Sequence, residues 1–315
     1  MARTFQTDLT GRVLTVLFDN PPHNFMNRVM VAELDDLLDS LDGDRSIGSV
    51  VLTGKPDGVF ITHYDVEEIL AGSEGVGRSI SAGVAGASLQ TVGGLTHIPG
   101  ARQALRRTPA AGMIELRRLH DAFLRMHRMD KVFIAALNGP ALGGACELSL
   151  ACDIRYMAEG ARGIGQPEIL LGFPPGGGGT QRLARAVGTS RALEMILEGR
   201  PLSPVEAQEV GLVHRVVPDA ELLDEAMACA NRMARRAPFS VAAAKQAVLG
   251  GSGGSLANGL AQERKWFLAS VSQPAATRAM RAYVERVRST GPPLADEEAL
   301  SSWLDGTAVD LVGDD

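Results

Sequence analysis

The chain has 315 residues, 45% of them hydrophobic and 22% charged, which is the make-up of a soluble globular protein large enough to bury roughly three quarters of its unfolded surface without staples. A net charge of −6 argues against a broad nucleic-acid or anionic-membrane surface, while leaving room for a local basic pocket. Cys146, Cys152 and Cys229 form no CxxC pair and read as buried reduced thiols. The N-terminal stretch has no apolar h-region and no segment approaches a membrane span, so a cytoplasmic protein without a membrane or nucleic-acid partner is expected.

In chain order, Phe5 to Leu9 and Arg12 to Phe18 read as a hairpin, stopped by Asn20-Pro21-Pro22 because proline has no N–H for the ladder. Met30, Leu34, Leu37 and Leu41 recur at helical spacing, and Gly43 closes that helix. The continuous apolar run Ser49 to Thr53 predicts a fully buried strand, Val59 to Ile61 a second short one, and Val66, Ile69 and Leu70 the start of a helix. Residues 71–112 are rich in Gly, Ser and Ala, without an amphipathic period, and read as a long loop insertion: a solvated surface excursion or a lid over a ligand site.

Order resumes with a helix through Ile114, Leu119, Phe123 and Met126 and a strand from Val132 to Leu137. A glycine-rich turn follows, then an apolar helix ending near Ala151 and a strand from Asp153 to Met157. Beyond it come two short amphipathic segments, a capping box at Ser203-Pro204-Val205-Glu206, a strand from Val213 to Val217, and helices near 220–236, 239–249, 256–271 and 275–288. The alternation of strands and helices predicts an α/β core over residues 1–200, a helical region over 201–290 and a frayed acidic tail over 291–315.

Nucleotide hydrolysis and dinucleotide binding are disfavoured. Gly176-Gly177-Gly178-Gly179-Thr180 lacks the Lys-Ser/Thr of a P-loop, and no strand leads into a dinucleotide fingerprint. No metal motif is present: His120 and His127 share a helix face, but nothing nearby completes a ligand set. The segment from Asn138 to Glu147 is more informative. A strand ends, Gly143 and Gly144 remove side chains where a ligand carbonyl could reach backbone, and a helix starts with unpaired N–H groups at the positive end of its dipole. Glu147 lies one turn on, in an otherwise apolar run, and a buried carboxylate without a task is costly. Glu168 follows in Gln166-Pro167-Glu168; two carboxylates facing one pocket can divide acid and base roles.

The stretch NGPALGGACELSLACDIRYMAEGARGIGQPEILLGFPPGGGGTQRLARAVG, continued by GRPLSPVEAQEVGLVHRVVP, resembles the crotonase (enoyl-CoA hydratase/isomerase) superfamily, and the likeness extends over most of residues 5–290. The resemblance implies a spiral of β-β-α repeats with a helical C-terminal trimerisation region, a homotrimer or homohexamer, and an acyl-CoA thioester whose coenzyme A is part of the substrate, with no separate cofactor. It places the catalytic pair on Glu147 and Glu168, the oxyanion-hole N–H groups on Tyr64 and Gly144, and substrate contacts on Thr62, His63, Asp65, Gly143 and Gly172. His63 stands where the family commonly has glycine, and the 71–112 insertion is longer than usual. Retention of both glutamates favours hydration of a 2-enoyl-CoA; the alternatives are double-bond isomerisation and a non-catalytic CoA-binding scaffold.

Overall fold

The computed structural model describes residues 3–76, 79–95, 105, 108, 110–292 and 297–313. Its main sheet has the order β1-β2-β3-β4-β6-β8, built from Phe5–Thr10, Val13–Phe18, Ser49–Gly54, Val132–Leu137, Ile154–Ala158 and Arg215–Val217. The first pair is the antiparallel hairpin; every later pairing is parallel. Every residue of β3 and β4 is buried, which is why both read as unbroken apolar runs rather than as alternating ones.

The helices α1 (Arg28–Leu41), α2 (Val66–Val76), α3 (Ala82–Leu95), α4 (Ala111–Arg128) and α5 (Gly144–Ala151) lie between these strands. Asn27 caps α1 by accepting the Met30 N–H at 2.9 Å. A two-stranded sheet, β5 (Ala141–Leu142) with β7 (Ile164–Gly165), stands beside the main one. Beyond Glu168 come α6 (Gly179–Val187), α7 (Thr189–Glu198), α8 (Pro204–Glu209) and α9 (Leu222–Met233), then the C-terminal α10 (Pro238–Gly251), α11 (Leu256–Val271), α12 (Pro274–Thr290) and α13 (Glu297–Leu304). The predicted capping box on α8 is present, with Ser203 and Glu206 satisfying each other's backbone N–H groups. All three cysteines are free and buried.

Half-buried and buried polar anchors tie these layers together. Lys245 of α10 donates to the carbonyls of Met126 and Lys131, both at 2.7 Å, and to Asp153 at 2.9 Å, while Asp153 also accepts the Phe133 N–H. Arg155 donates to the carbonyls of Ser149 and Cys152, closing the C-terminal end of α5 with a cation, and to Leu212.

Three expectations change. Val59–Ile61 is not a strand: Val59 N–H closes a turn onto the Pro56 carbonyl, and this backbone packs against Gly54 and Gly139, where a side chain would collide. Its apolar character reflects burial of Phe60 and Ile61, not sheet pairing. The 71–112 stretch is not a loop throughout, since α2 runs to Val76 and α3 covers Ala82–Leu95; residues 77–78, 96–104, 106, 107 and 109 lie outside the described residues. Helix α3 buries only Val92 and Gly93, the glycine leaving space for the Arg117 guanidinium of α4, so it carries no apolar stripe for a pattern search to find. The tail also folds back: Arg236 donates to the carbonyls of Trp303 and Leu304 at the end of α13, and Arg235 to that of Asp305. Cations meeting a helix C-terminus hold what the composition suggested would fray.

Candidate active site

Residues 23–26, the 62–65 segment, β5 and β7 are sewn edge to edge. The Leu142 N–H donates to Thr62 O at 3.0 Å, Gly143 N–H to Gly165 O at 2.9 Å, and Met26 N–H to His63 O at 2.9 Å. A trans peptide points its C=O and N–H in opposite directions, so pinning the His63 carbonyl on Met26 turns the Tyr64 N–H away from that strand. It turns toward Gly144: a methyl group on Gly144 would lie 3.6 Å from Tyr64 N and 3.0 Å from Tyr64 Cβ. The same logic applies to Gly143, whose carbonyl accepts the Glu147 N–H at 2.9 Å, leaving the Gly144 N–H to point out of the helix start. Gly143 has φ +51°, a conformation that favours glycine. Among the described residues no protein acceptor takes either the Tyr64 or the Gly144 N–H.

Both carboxylates belong to this neighbourhood. Helix α5 is buried along its whole length and carries Glu147 inside at 2% exposure. Its Oε1 accepts the Gly179 N–H at 2.7 Å, and the Gly177 N–H also binds the carboxylate. Burial raises the Glu147 pKa, and these two N–H groups, His120 and Arg182 oppose the rise. Glu168 sits in the first turn of a short 3-10 helix, Pro167–Leu171, that begins two residues after β7. Its Oε1 would be 3.0 Å from a methyl group on Gly143, so the first glycine of the turn makes room for the second carboxylate. Burial, then the nearby Glu147 charge, push Glu168 up to about 7, partly offset by a bond from its own backbone N–H. Gln166 is buried between them; with its amide nitrogen turned toward Glu168 it donates to both carboxylate oxygens, at 2.9 and 3.2 Å.

The structure therefore brings Tyr64, Gly143, Gly144, Glu147 and Glu168 together. The other expected substrate contacts have partners of their own. Thr62 donates its hydroxyl to His23 O, Asp65 accepts the Glu67 N–H at the start of α2, and Gly172 ends the 3-10 helix with φ +88°. The His63 ring stacks on Phe25 with centroids 4.2 Å apart, and its Nδ1 donates to Tyr64 O at 2.7 Å. Tyr64 directs its hydroxyl to Glu68 at 3.0 Å.

One part of the site escaped the sequence. The 176–179 glycine run, dismissed as a phosphate loop, cradles a carboxylate that belongs to the protein itself. A methyl group on Gly177 would lie 2.9 Å from Glu147 Cδ, and one on Gly179 would lie 2.9 Å from Glu147 Oε1. The sequence offers a second glycine cluster and a buried carboxylate, but nothing in their spacing joins the two. Among the described residues no His, Cys, Asp and Glu cluster could hold a metal ion, and no helix is long and apolar enough to cross a membrane.

Residues 8–86 and 103–290 match the family described as Enoyl-CoA hydratase/isomerase. A probable mitochondrial enoyl-CoA hydratase of Dictyostelium discoideum is 34% identical over 287 residues, covering 90% of this chain and 88% of its own length. A probable enoyl-CoA hydratase of Rhizobium meliloti is 34% identical over 284 residues, covering 90% and 95%. Among solved structures, an enoyl-CoA hydratase from Bacillus anthracis superposes with a TM-score of 0.72 at 27% identity, covering 92% of this chain and 98% of that one.

Proposed function

The chain belongs to the enoyl-CoA hydratase/isomerase family and has its crotonase fold, and from that premise we propose that it adds water across the double bond of a 2-enoyl-CoA thioester. The observation that carries this reading is the pairing of buried Glu147 and half-buried Glu168 beside two N–H groups that have no protein acceptor among the described residues. The thioester oxygen sits between the N–H groups of Tyr64 and Gly144. Water oxygen attacks the β-carbon, the π electrons move to the thioester as an enolate, and the N–H pair stabilises the charge that develops there, each donor being worth about 3–4 kcal/mol. Glu147, its oxygens fixed by Gly177 and Gly179, orients the water and takes its proton. Glu168, with a pKa near 7, delivers a proton to the α-carbon. Proton exchange between the carboxyls and solvent then resets the pair. Coenzyme A enters and leaves as part of substrate and product, so no separate cofactor is needed.

The three free buried thiols suit a reducing compartment such as the cytoplasm. A homotrimer or homohexamer accounts for the apolar side chains on the C-terminal helices, where Leu256 is 79% exposed, Phe267 62% and Leu268 66%. Light scattering checks the assembly. For the reaction, loss of enoyl absorbance with crotonyl-CoA is the expected result, and Glu147→Gln and Glu168→Gln each lower kcat by about 10²–10⁴-fold. Turnover confined to a 3-enoyl-CoA substrate overturns hydration; unchanged turnover in both variants overturns the residue roles.

A further inference from the structure

Arg182, on the first turns of α6, has no place in the chemistry described so far, yet its guanidinium is partly buried against the back of the glycine cradle. Its Nη1 donates to Gly177 O at 3.1 Å, its Nε donates to His127 Nε2 at 3.1 Å, and its Cζ lies 5.5 Å from the centre of the Phe123 ring. A side chain on Gly178 would occupy the position of Nη1, so that glycine, at φ +109°, admits the guanidinium. His127 is an unusual partner. To accept from Nε it must keep Nε2 bare and carry its proton on Nδ1, and Nδ1 is buried without a partner among the described residues. Burial and the cations Arg182, Lys245 and Arg155 hold its pKa down at about 4, so the ring is neutral at working pH. A buried donor is left unsatisfied while the acceptor that holds Arg182 is kept.

We propose that Arg182, locked by neutral His127, is a positioning residue for Glu147: by gripping the Gly177 carbonyl it fixes the orientation of the 177–179 backbone, whose N–H groups clamp the carboxylate. This inference rests on Glu147 acting in the hydration step and adds the element that aims it. His120 grips the neighbouring carbonyl, that of Gly176, at 2.7 Å, so two side chains from α4 and α6 hold consecutive carbonyls of the cradle. The charged and titratable groups facing Glu147 are His120 from α4, Arg182 from α6 and Glu168 from the 3-10 helix, with Arg185 next to Arg182. Removing the Arg182 charge leaves burial less opposed, so the carboxylate gains affinity for protons and the acid limb of the rate profile moves to higher pH.

The test is the pH dependence of kcat on crotonyl-CoA for the full-length protein, with Glu147→Gln as the floor. Arg182→Gln is expected to lower kcat by about 10–100-fold with KM little changed and to move the acid limb upward. Arg182→Lys, which keeps the charge but reaches only one of the two acceptors, restores the limb and only part of kcat. His127→Leu removes the acceptor and keeps the charge; it lowers kcat severalfold without moving the limb, and His127→Gln, which supplies an amide oxygen to Nε, recovers it. A folded Arg182→Gln protein with wild-type kcat and acid limb overturns the proposal, as does wild-type kcat in His127→Leu; the histidine pair decides the matter should Arg182→Gln fail to fold. Full activity in Glu147→Gln defeats instead the reading of the site on which the proposal stands.

Discussion

Gly177→Ala tests the cradle most directly. The new methyl carbon would sit 2.9 Å from Glu147 Cδ and 3.0 Å from Leu119 Cδ2, and nearer still to Glu147 Oε2. Ordinary contact requires the carboxylate to retreat by about 1 Å. It has nowhere to go, because α5 is buried on all sides and the other oxygen is held by Gly179 at 2.7 Å. A displacement of about 1 Å in a proton-handling group lowers kcat by about 100-fold, equivalent to about 2.7 kcal/mol of transition-state stabilisation. The overpacking itself should lower stability by about 1–3 kcal/mol. The assay is crotonyl-CoA hydration followed by enoyl absorbance, with thermal unfolding run in parallel. Gly176→Ala is the internal control: nothing lies within 4 Å of its methyl group, so kcat should stay near wild type. A folded Gly177→Ala enzyme turning over within about twofold of wild type would refute the cradle, since misplacement by this much cannot be silent.

Gly144→Ala puts a methyl group 3.0 Å from Tyr64 Cβ and 3.6 Å from Tyr64 N, the other proposed oxyanion donor, and should lower kcat by about 10²–10³-fold, as measured in the same assay. Glu168→Gln should stabilise the protein at high pH. Its folded pKa, near 7, is raised above the ordinary value of 4.5, so the carboxylate destabilises the fold increasingly as pH rises from 4.5 through 7, and the amide carries no such penalty. Discounted for solvent screening the gain is about 1–2 kcal/mol, read as a higher Tm than wild type at pH 8 and a much smaller difference at pH 4.5; a Tm gain equal at both pH values would sink this account. Lys245→Met removes the only cation hydrogen-bonded to half-buried Asp153 among the described residues and should lower stability by about 2–3 kcal/mol, measured by urea unfolding.

What could be read in the sequence followed from local chemistry. Glu147 was visible because a carboxylate in an apolar run has to be accommodated, and Gly143-Gly144 because they join a strand to a helix. Helix α3 was invisible because a Gly/Ala/Ser helix that buries only Val92 and Gly93 has no periodicity to detect. The cradle was invisible for a different reason. Gly177 and Gly179 lie 30 and 32 residues after Glu147, and only the folded chain shows that one cluster is glycine because the other residue is charged. His120 and His127, assigned no role in a metal site, meet the cradle and Arg182 as hydrogen-bond partners that no sequence spacing reveals.

The β5–β7 ladder has a further consequence. Because Gly143 donates to Gly165 and Leu142 to Thr62, the distances among the two carboxyl-bearing elements and the two N–H donors are set by main-chain bonds common to any sequence that can take this path. The side chains of the 62–65 segment make bonds of their own: His63 stacks on Phe25 and Tyr64 reaches Glu68, so they are free to vary without loosening that frame. The main-chain frame and the side chains hung on it are thus separable parts of the chain. A lineage could exchange those side chains repeatedly while inheriting the same backbone frame.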